Sequence, residues 1–255
     1  FHFFVMEYLK GVEVSIMAIA NGTHVVYLAS SEDHKHLLDG DEGPMTGGMG
    51  AITPSPFITP ELQLEIHEKI ILPTLKAMEA EVRPYSGVLY AGLMLTPEGP
   101  KVIEFNCRFG DPETQVILPL LDCNLLDILW AASVGGLQHI DIPAPKGAAA
   151  CTVLTAKNYG YGRPETGKVI IGLRHLEQQE NVQVLHAGTS MREDGYNLET
   201  ADGRVVSIVG LGDDLPTAII RSSQAADGVY FDGVHRRRDI GHKALAYLKK
   251  EGKIS

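Results

Sequence analysis

Lys101-Val102-Ile103-Glu104-Phe105-Asn106-Cys107-Arg108-Phe109-Gly110-Asp111-Pro112-Glu113 is the stretch from which the fold and the chemistry of this chain are read. Extended backbone sends alternate side chains to opposite faces, so Glu104, Asn106 and Arg108 share one side of a strand and Ile103, Phe105 and Cys107 the other. A polar row backed by an apolar one is the ordinary pattern of a half-buried strand. Here the polar row is a carboxylate, an amide oxygen and a guanidinium in succession, and it runs directly into a turn from Arg108 to Glu113. Hard divalent cations such as Mg²⁺ take oxygen ligands, and a guanidinium grips phosphate in a two-pronged fork. Glu104 and Asn106 are therefore candidate metal ligands, with Arg108 a candidate phosphate contact.

Upstream of it, residues 87–95 form an apolar strand, and Thr96-Pro97-Glu98-Gly99-Pro100 is a hairpin turn that delivers the polar strand. Gly92, across that hairpin, is expected to leave room for a ligand. Residues 60–82 carry helical spacing at Leu62, Ile66, Ile70 and Leu75, with Thr59 as N-cap and Pro60 in the first turn. Pro73 is expected to kink or divide that helix. After Pro112, residues 113–130 read as largely helical with an interruption at Pro119, closed by Gly135-Gly136.

At the start, residues 3–9 and 12–20 are β-rich runs parted by Lys10-Gly11, and Asn21-Gly22 turns into a further strand at 24–28, which predicts an antiparallel meander. The pattern begins inside a strand at Phe1, without Met, as expected of a chain lacking its upstream part. Glu7 and Glu13, isolated carboxylates in strand patterns, are either solvated or, as the resemblance given below implies, nucleotide contacts. Residues 30–55 are polar and glycine-rich. They contain Asp33-His34-Lys35 and then Thr46-Gly47-Gly48-Met49-Gly50, read as a long loop that is either a flexible surface segment or a substrate site. In the second case Gly47, Gly48 and Gly50 would let successive N–H groups form an anion-binding nest.

Residues 142–147 look like a connector. Beyond it, strands are expected near 149–155, 168–171, 182–186 and 204–211, with a helix over 215–226 and a last helix over 240–250 opened by Asp239 as N-cap. His175, His186, His235 and His242 have no metal spacing, and Arg236-Arg237-Arg238 reads as a solvated turn within reach of a phosphate. The fold class is α+β.

The 255 residues carry a formal net charge of -10, which excludes a general nucleic-acid or anionic-membrane surface because phosphate backbones need a basic footprint. Cys107, Cys123 and Cys151 lack the spacing of a disulfide framework or a zinc site, so a cytoplasmic setting is expected. There is no signal-peptide pattern and no apolar run near the roughly 18 residues of a membrane span.

These motifs resemble the glycinamide ribonucleotide synthetase family, the phosphoribosylamine glycine ligases of the ATP-grasp superfamily. The resemblance rests on residues 89–94, 101–106 and 108–115, on Asp33-His34-Lys35 with the loop at 43–50, on the hinge at 7–13, and on Arg238-Asp239-Ile240-Gly241. It implies an ATP-grasp catalytic lobe over residues 1–142 and a small α+β domain over 143–255, without the N-terminal domain and ATP-grasp lid. The reaction implied is ATP-dependent ligation of glycine to phosphoribosylamine through glycyl phosphate in purine biosynthesis. Fusion to other purine-pathway domains is a further implication.

By the same resemblance Arg108, Asp33 and Lys35 are catalytic, and Glu7, Tyr8, Leu9 and Glu13 hold ATP. Glu104 and Asn106 hold Mg²⁺ or Mn²⁺. His34, Thr46, Gly47, Gly48, Met49, Gly50, Asp111 and Glu113 face the substrates. Three departures stand out: His36 replaces the family's Arg, Met45 its Asn, and residues 157–162 its Gly-Tyr-Pro. With the lid missing, the 255 residues alone are expected to bind nucleotide weakly and not to turn over. The alternatives are a related carboxylate–amine ligase and a non-catalytic nucleotide-binding module.

Overall fold

A computed structural model describes residues 3, 5 and 7–254. Strand β1 (Val12–Asn21) turns at Gly22 into β2 (His24–Tyr27). The strand expected over residues 3–9 is not found. Residues 4 and 6, like Phe1 and His2, lie outside the described residues, and the described ones there form no strand. β1 pairs along its whole length with a later strand on one edge and, at Ala18–Asn21, with β2 on the other.

Residues 30–55 are not an irregular loop. They form β3 (Glu32–Asp33), β4 (His36–Leu38), β5 (Glu42–Met45) and β6 (Gly50–Thr53), with β4 and β5 paired as a hairpin. Fully buried Met49, Ala51 and Ile52 anchor this segment, a core contribution hidden by the glycines around them.

The helix at residue 60 begins as expected, with Thr59 Oγ1 accepting the Leu62 N–H at 3.2 Å. It runs as α1 (Pro60–Ile66), a π turn (His67–Ile71) and α2 (Leu72–Ala80). The widened turn lies just before Pro73, which has no N–H to give the helix. Strands β7 (Ser86–Thr96) and β8 (Gly99–Asn106) complete a four-stranded antiparallel sheet in the order β2-β1-β7-β8. Val14, Ile16, Ala18, Leu89, Ala91 and Leu93 face one way and pack on Ile66, Ile70, Ile71 and Leu75.

The apolar side of β8 is not core. Gly92 pairs with Glu104 but Leu93 with Val102, so Ile103 is a bulge residue, and β8 is an edge strand. Ile103 and Phe105 are 41% and 38% exposed in consequence. Gly92 makes its room for protein, since a Cβ there would touch Glu104 Cγ and Tyr90 Cε1, each at 3.4 Å.

Residues 113–130 form two helices rather than one interrupted helix. α3 (Glu113–Ile117) runs into a 3₁₀ turn holding Pro119, and α4 (Leu125–Val134) starts afresh at 103° to it. Asn124 caps α4 and Gly135, at φ 88°, ends it. Among the described residues no single helix is long and apolar enough to cross a membrane.

After the connector come β9 (Ala148–Thr155), β10 (Val169–Ile170), α5 (Leu173–Leu176), β11 (Val182–His186), β12 (Thr189–Met191), β13 (Leu198–Thr200) and β14 (Arg204–Gly212). α6 (Leu215–Asp227) and α7 (His242–Lys250) follow. A five-stranded sheet, β11-β14-β9-β6-β3, draws strands from both sides of the connector, with Ile52 opposite Ala150.

Asp239 does not cap α7. Gly241 holds the N-cap position, and both Asp239 carboxylate oxygens are taken by Arg237, at 2.8 Å each. Nor is Arg237 solvated. It is fully buried, and it also donates to Asp41 Oδ1 at 2.9 Å and to the His36 carbonyl at 3.2 Å.

Candidate active site

Register puts the chemistry on one face of the four-stranded sheet. Ser15 lies opposite Gly92 and Gly92 opposite Glu104, while Tyr90 lies opposite Asn106. Cross-strand partners share a face, so Glu13, Ser15, Tyr90, Glu104 and Asn106 point away from the α1–α2 layer. A cavity of about 160 Å³ opens there, and its walls include Asp33, Lys35, Glu104, Asn106, Arg108 and Glu113. Arg108 is exposed. Among the described residues its one hydrogen bond is to the Phe109 carbonyl at 2.8 Å, and it makes no ion pair. An unneutralised guanidinium beside a carboxylate and an amide is a site prepared for an anion.

Glu113 is almost fully buried and accepts Ser15 Oγ–H at 2.9 Å. Because that hydroxyl has one proton, Tyr90 donates to Ser15 Oγ, also at 2.9 Å. The chain Tyr90 to Ser15 to Glu113 fixes the carboxylate under Gly110, whose Cβ, if present, would lie 2.5 Å from Glu113 Oε2. Burial, reinforced by Glu113, pushes the Tyr90 pKa up.

Asp33 and Lys35 arrive from β3 and the residues after it, and both line this cavity and a second one. Burial, then the neighbouring Glu113, raise the Asp33 pKa well above the usual carboxylate range, opposed by Lys35 and Arg204. Burial works against the charge on Lys35, but its ion pair with Glu13 outweighs that and raises its pKa. Glu104 stands 3.9 Å from the same ammonium.

The nest anticipated at Gly47, Gly48 and Gly50 is not formed. The N–H of Thr46 goes to the Lys35 carbonyl, that of Gly47 to Tyr159 Oη, that of Gly48 to Thr46 Oγ1, and that of Met49 to the His34 carbonyl. Thr46 and Gly47 line the smaller cavity, whereas Met49 is core and Gly50 opens β6. Gly48 has φ 113°, and a Cβ on it would meet Pro112 Cδ at 2.4 Å and Asp33 Oδ1 at 2.7 Å. Its role is close packing of the loop on Asp33.

The second cavity, about 330 Å³, is lined by Tyr8, Leu9, Glu13, Lys35 and Met94 on one side and by Glu32, His34, Asp41, His242 and Lys243 on the other. Glu7 instead pairs with Lys101 at 2.8 Å on the surface. His34 is buried, with its pKa lowered to about 3 by burial and by Arg237. Its Nε2 accepts the Gly241 N–H at 2.8 Å, so the ring is neutral. Burial pushes the Glu32 carboxyl up to about 7.

The residues beyond the connector that shape the site were missed in sequence. Arg204 donates to the Gly47 carbonyl at 2.7 Å, and to the Asp111 carbonyl and both Asp111 carboxylate oxygens at 2.9 to 3.1 Å. Asp111 is thereby a partner of Arg204 at the cavity wall. Lys243 pairs with Asp41 at 2.5 Å, behind the larger cavity. No spacing signal marks Arg204 or Lys243, because their partners lie far upstream.

Glu104 and Asn106 present two hard oxygen donors two residues apart on the wall of the smaller cavity. No group of three or more His, Cys, Asp or Glu capable of holding a metal occurs among the described residues. That donor set fits a Mg²⁺-like cation whose remaining ligands come from phosphate oxygens and water rather than from protein.

Two family models match in order: the phosphoribosylglycinamide synthetase ATP-grasp (A) domain over residues 2–114, and the C domain of the same synthetase over residues 149–243. The phosphoribosylamine–glycine ligase of Ralstonia nicotianae is 43% identical over 94% of this chain and 56% of its own length. The trifunctional purine biosynthetic protein adenosine-3 of Gallus gallus is 43% identical over 96% of this chain and 24% of its own. The crystal structure of Thermotoga maritima phosphoribosylamine–glycine ligase superposes with a TM-score of 0.78 at 36% identity, covering 92% of this chain and 56% of that one. A biotin carboxylase from Campylobacter jejuni, 15% identical with a TM-score of 0.61 over 95% of this chain and 50% of its own, shares the fold. The chain thus spans little more than half the length of the bacterial ligases it matches, and its mixed helices and antiparallel sheets are those of an ATP-grasp lobe followed by a C domain. With both domain models matched in order over most of the sequence, the chain belongs to the phosphoribosylglycinamide synthetase family.

Proposed function

We propose that this chain supplies the catalytic lobe and C domain of an ATP-dependent ligase joining glycine to 5-phosphoribosylamine, with glycinamide ribonucleotide, ADP and phosphate as products, in de novo purine synthesis. The division near residue 143 belongs to this reading, as does a cytosolic setting, which the free Cys107, Cys123 and Cys151 suit. Fusion to further purine-pathway domains is an extension of the reading, drawn from the trifunctional relative.

The observation that most supports it is the Arg108 guanidinium, without an ion pair among the described residues, sharing a cavity with Glu104, Asn106 and Lys35. In the reaction proposed, a glycine carboxylate oxygen attacks the terminal phosphorus of ATP and the bond to the ADP oxygen breaks. The amine nitrogen of phosphoribosylamine then attacks the carbonyl carbon, phosphate leaves with that carboxylate oxygen, and the nitrogen loses a proton. Phosphoryl transfer of this kind needs positioning and charge stabilisation more than covalent help. Arg108 faces the transferring phosphoryl oxygens, and Lys35, released from Glu13, faces the carboxylate. Asp33 and Glu113 accept from the glycine ammonium group. A Mg²⁺ ion held by Glu104 and Asn106 would neutralise phosphate charge. Tyr8, Leu9 and Glu13 line the nucleoside end.

The test is ADP release by the full-length protein. It is expected to require Mg·ATP, glycine and phosphoribosylamine together and to yield glycinamide ribonucleotide by mass. Preference for another acid or amine would reassign the chain to a different carboxylate–amine ligation. Nucleotide binding without turnover would make it a binding module.

A further inference from the structure

The smaller cavity has one wall made of backbone alone, at Gly47, and that peptide is held from both ends by residues beyond the connector. Tyr159 Oη accepts the Gly47 N–H at 3.1 Å, and Arg204 donates to the Gly47 carbonyl at 2.7 Å. The same guanidinium also grips Asp111, on the facing turn, through its carbonyl and both carboxylate oxygens. Gly47 and Asp111 both line the cavity that holds Asp33, Lys35 and Arg108. One side chain thus ties the two loops that close the cavity to each other.

The tie is stiff on both sides. Inward movement of the loop is blocked at Gly48, where even a Cβ would strike Pro112 and Asp33. Outward movement breaks the hydrogen bonds to Arg204 and Tyr159. Tyr159 is itself braced by Gly203, the residue before Arg204, where a Cβ would come within 2.5 Å of its ring. Asn158, which precedes Tyr159, sits at φ 70°, a left-handed conformation that Asn tolerates better than most residues and that turns Tyr159 toward the loop.

We infer that Arg204 and Tyr159 are positioning residues that fix the width of the smaller cavity and so restrict its acid substrate to an amino acid without a side chain. This rests on the assignment of that cavity to glycine. The cavity, about 160 Å³, lies between the Gly47 peptide and the Asp111 turn. A larger acid that pressed on the Gly47 loop or the Asp111 turn would have to displace it, and Arg204 opposes both movements at once.

The experiment compares full-length wild type with Tyr159→Phe and Arg204→Lys. It measures KM for glycine, KM for ATP, kcat/KM for alanine relative to glycine, and thermal stability. Tyr159→Phe removes one hydrogen bond and keeps the ring, while Arg204→Lys keeps the charge and loses the fork. Each is expected to raise the glycine KM roughly tenfold, the equivalent of one lost hydrogen bond, leave the ATP KM unchanged, and shift the alanine-to-glycine ratio toward alanine. Lower stability with both KM values and the ratio unchanged would leave Arg204 and Tyr159 merely structural and overturn the inference. If wild type fails to ligate glycine, the functional reading falls and the inference falls with it. Glycine turnover with an unaltered ratio sinks the inference alone.

Discussion

Replacing Glu104 by Gln is expected to lower kcat by roughly 10³-fold, the scale of losing a charged group aimed at a transferring phosphoryl, while moving Tm by only a degree or two. The side chain is half exposed and its nearest ion-pair partner is 3.9 Å away, so little folding energy rests on it. Gln preserves shape and one oxygen donor but removes the negative charge that a divalent cation between phosphates requires. Full activity of the variant at limiting Mg²⁺ would remove Glu104 from the metal site. A fall in kcat matched by a large fall in Tm would mean that the side chain supports the sheet instead.

The second large effect is on stability. Arg237→Leu is expected to cost about 3–5 kcal/mol, the usual penalty for removing one partner of a buried ion pair, and to lower Tm by roughly 10 °C. Arg237 fastens residues 36–41 to residues 237–239, with Arg238 N–H on Asp39 and Gly40 N–H on Asp239 completing the seam. The pH dependence follows from the carboxylates. Hydrogen bonds and ion pairs with Lys243 and Arg237 outweigh burial and hold Asp41 at about 2 instead of 3.8, and Arg237 likewise depresses Asp239. A depressed carboxylate contributes stability above its unfolded pKa and loses it as pH falls through its folded one. Wild-type Tm should therefore drop between about pH 4 and pH 2, and the variant should show a shallower drop. Equal Tm values and parallel pH curves in calorimetry would contradict the buried hub.

Much of the sheet that carries the chemistry was legible because its signals are local. Thr96-Pro97-Glu98-Gly99 makes the β7–β8 turn, Thr59 and Pro60 start α1, and Gly135 stops α4. What stayed hidden depends on partners far away in sequence. Three consecutive arginines look solvated until Asp41 folds back onto the middle one. Asp239 looks like a cap until Arg237 claims both its oxygens. Gly47, Gly48 and Gly50 look like an anion nest until Thr46, Lys35, His34 and Tyr159 are seen to satisfy the neighbouring N–H groups. The polar row of β8 was readable from its alternation. Its apolar companions were expected to form the buried face, and only the edge position and the bulge at Ile103 show why they remain exposed.

The same distinction holds for the site. Glu104, Asn106, Arg108, Asp33 and Lys35 do converge on one cavity. Of the expected substrate contacts, His34 lines the larger cavity and Met49 is fully buried. Arg204 and Tyr159, the far-side grips on the loop, carry no motif that one sequence can reveal.

Phosphoryl transfer onto the carboxylate of an amino acid is the step proposed for this cavity. It is tested most directly with glycine labelled with oxygen-18 in its carboxylate, turned over by the full-length protein with ATP and phosphoribosylamine. A labelled carboxylate oxygen is expected in the released phosphate, because the carbonyl carbon gives up that oxygen when the amine attacks. Product formation with every labelled oxygen absent from the phosphate would contradict it.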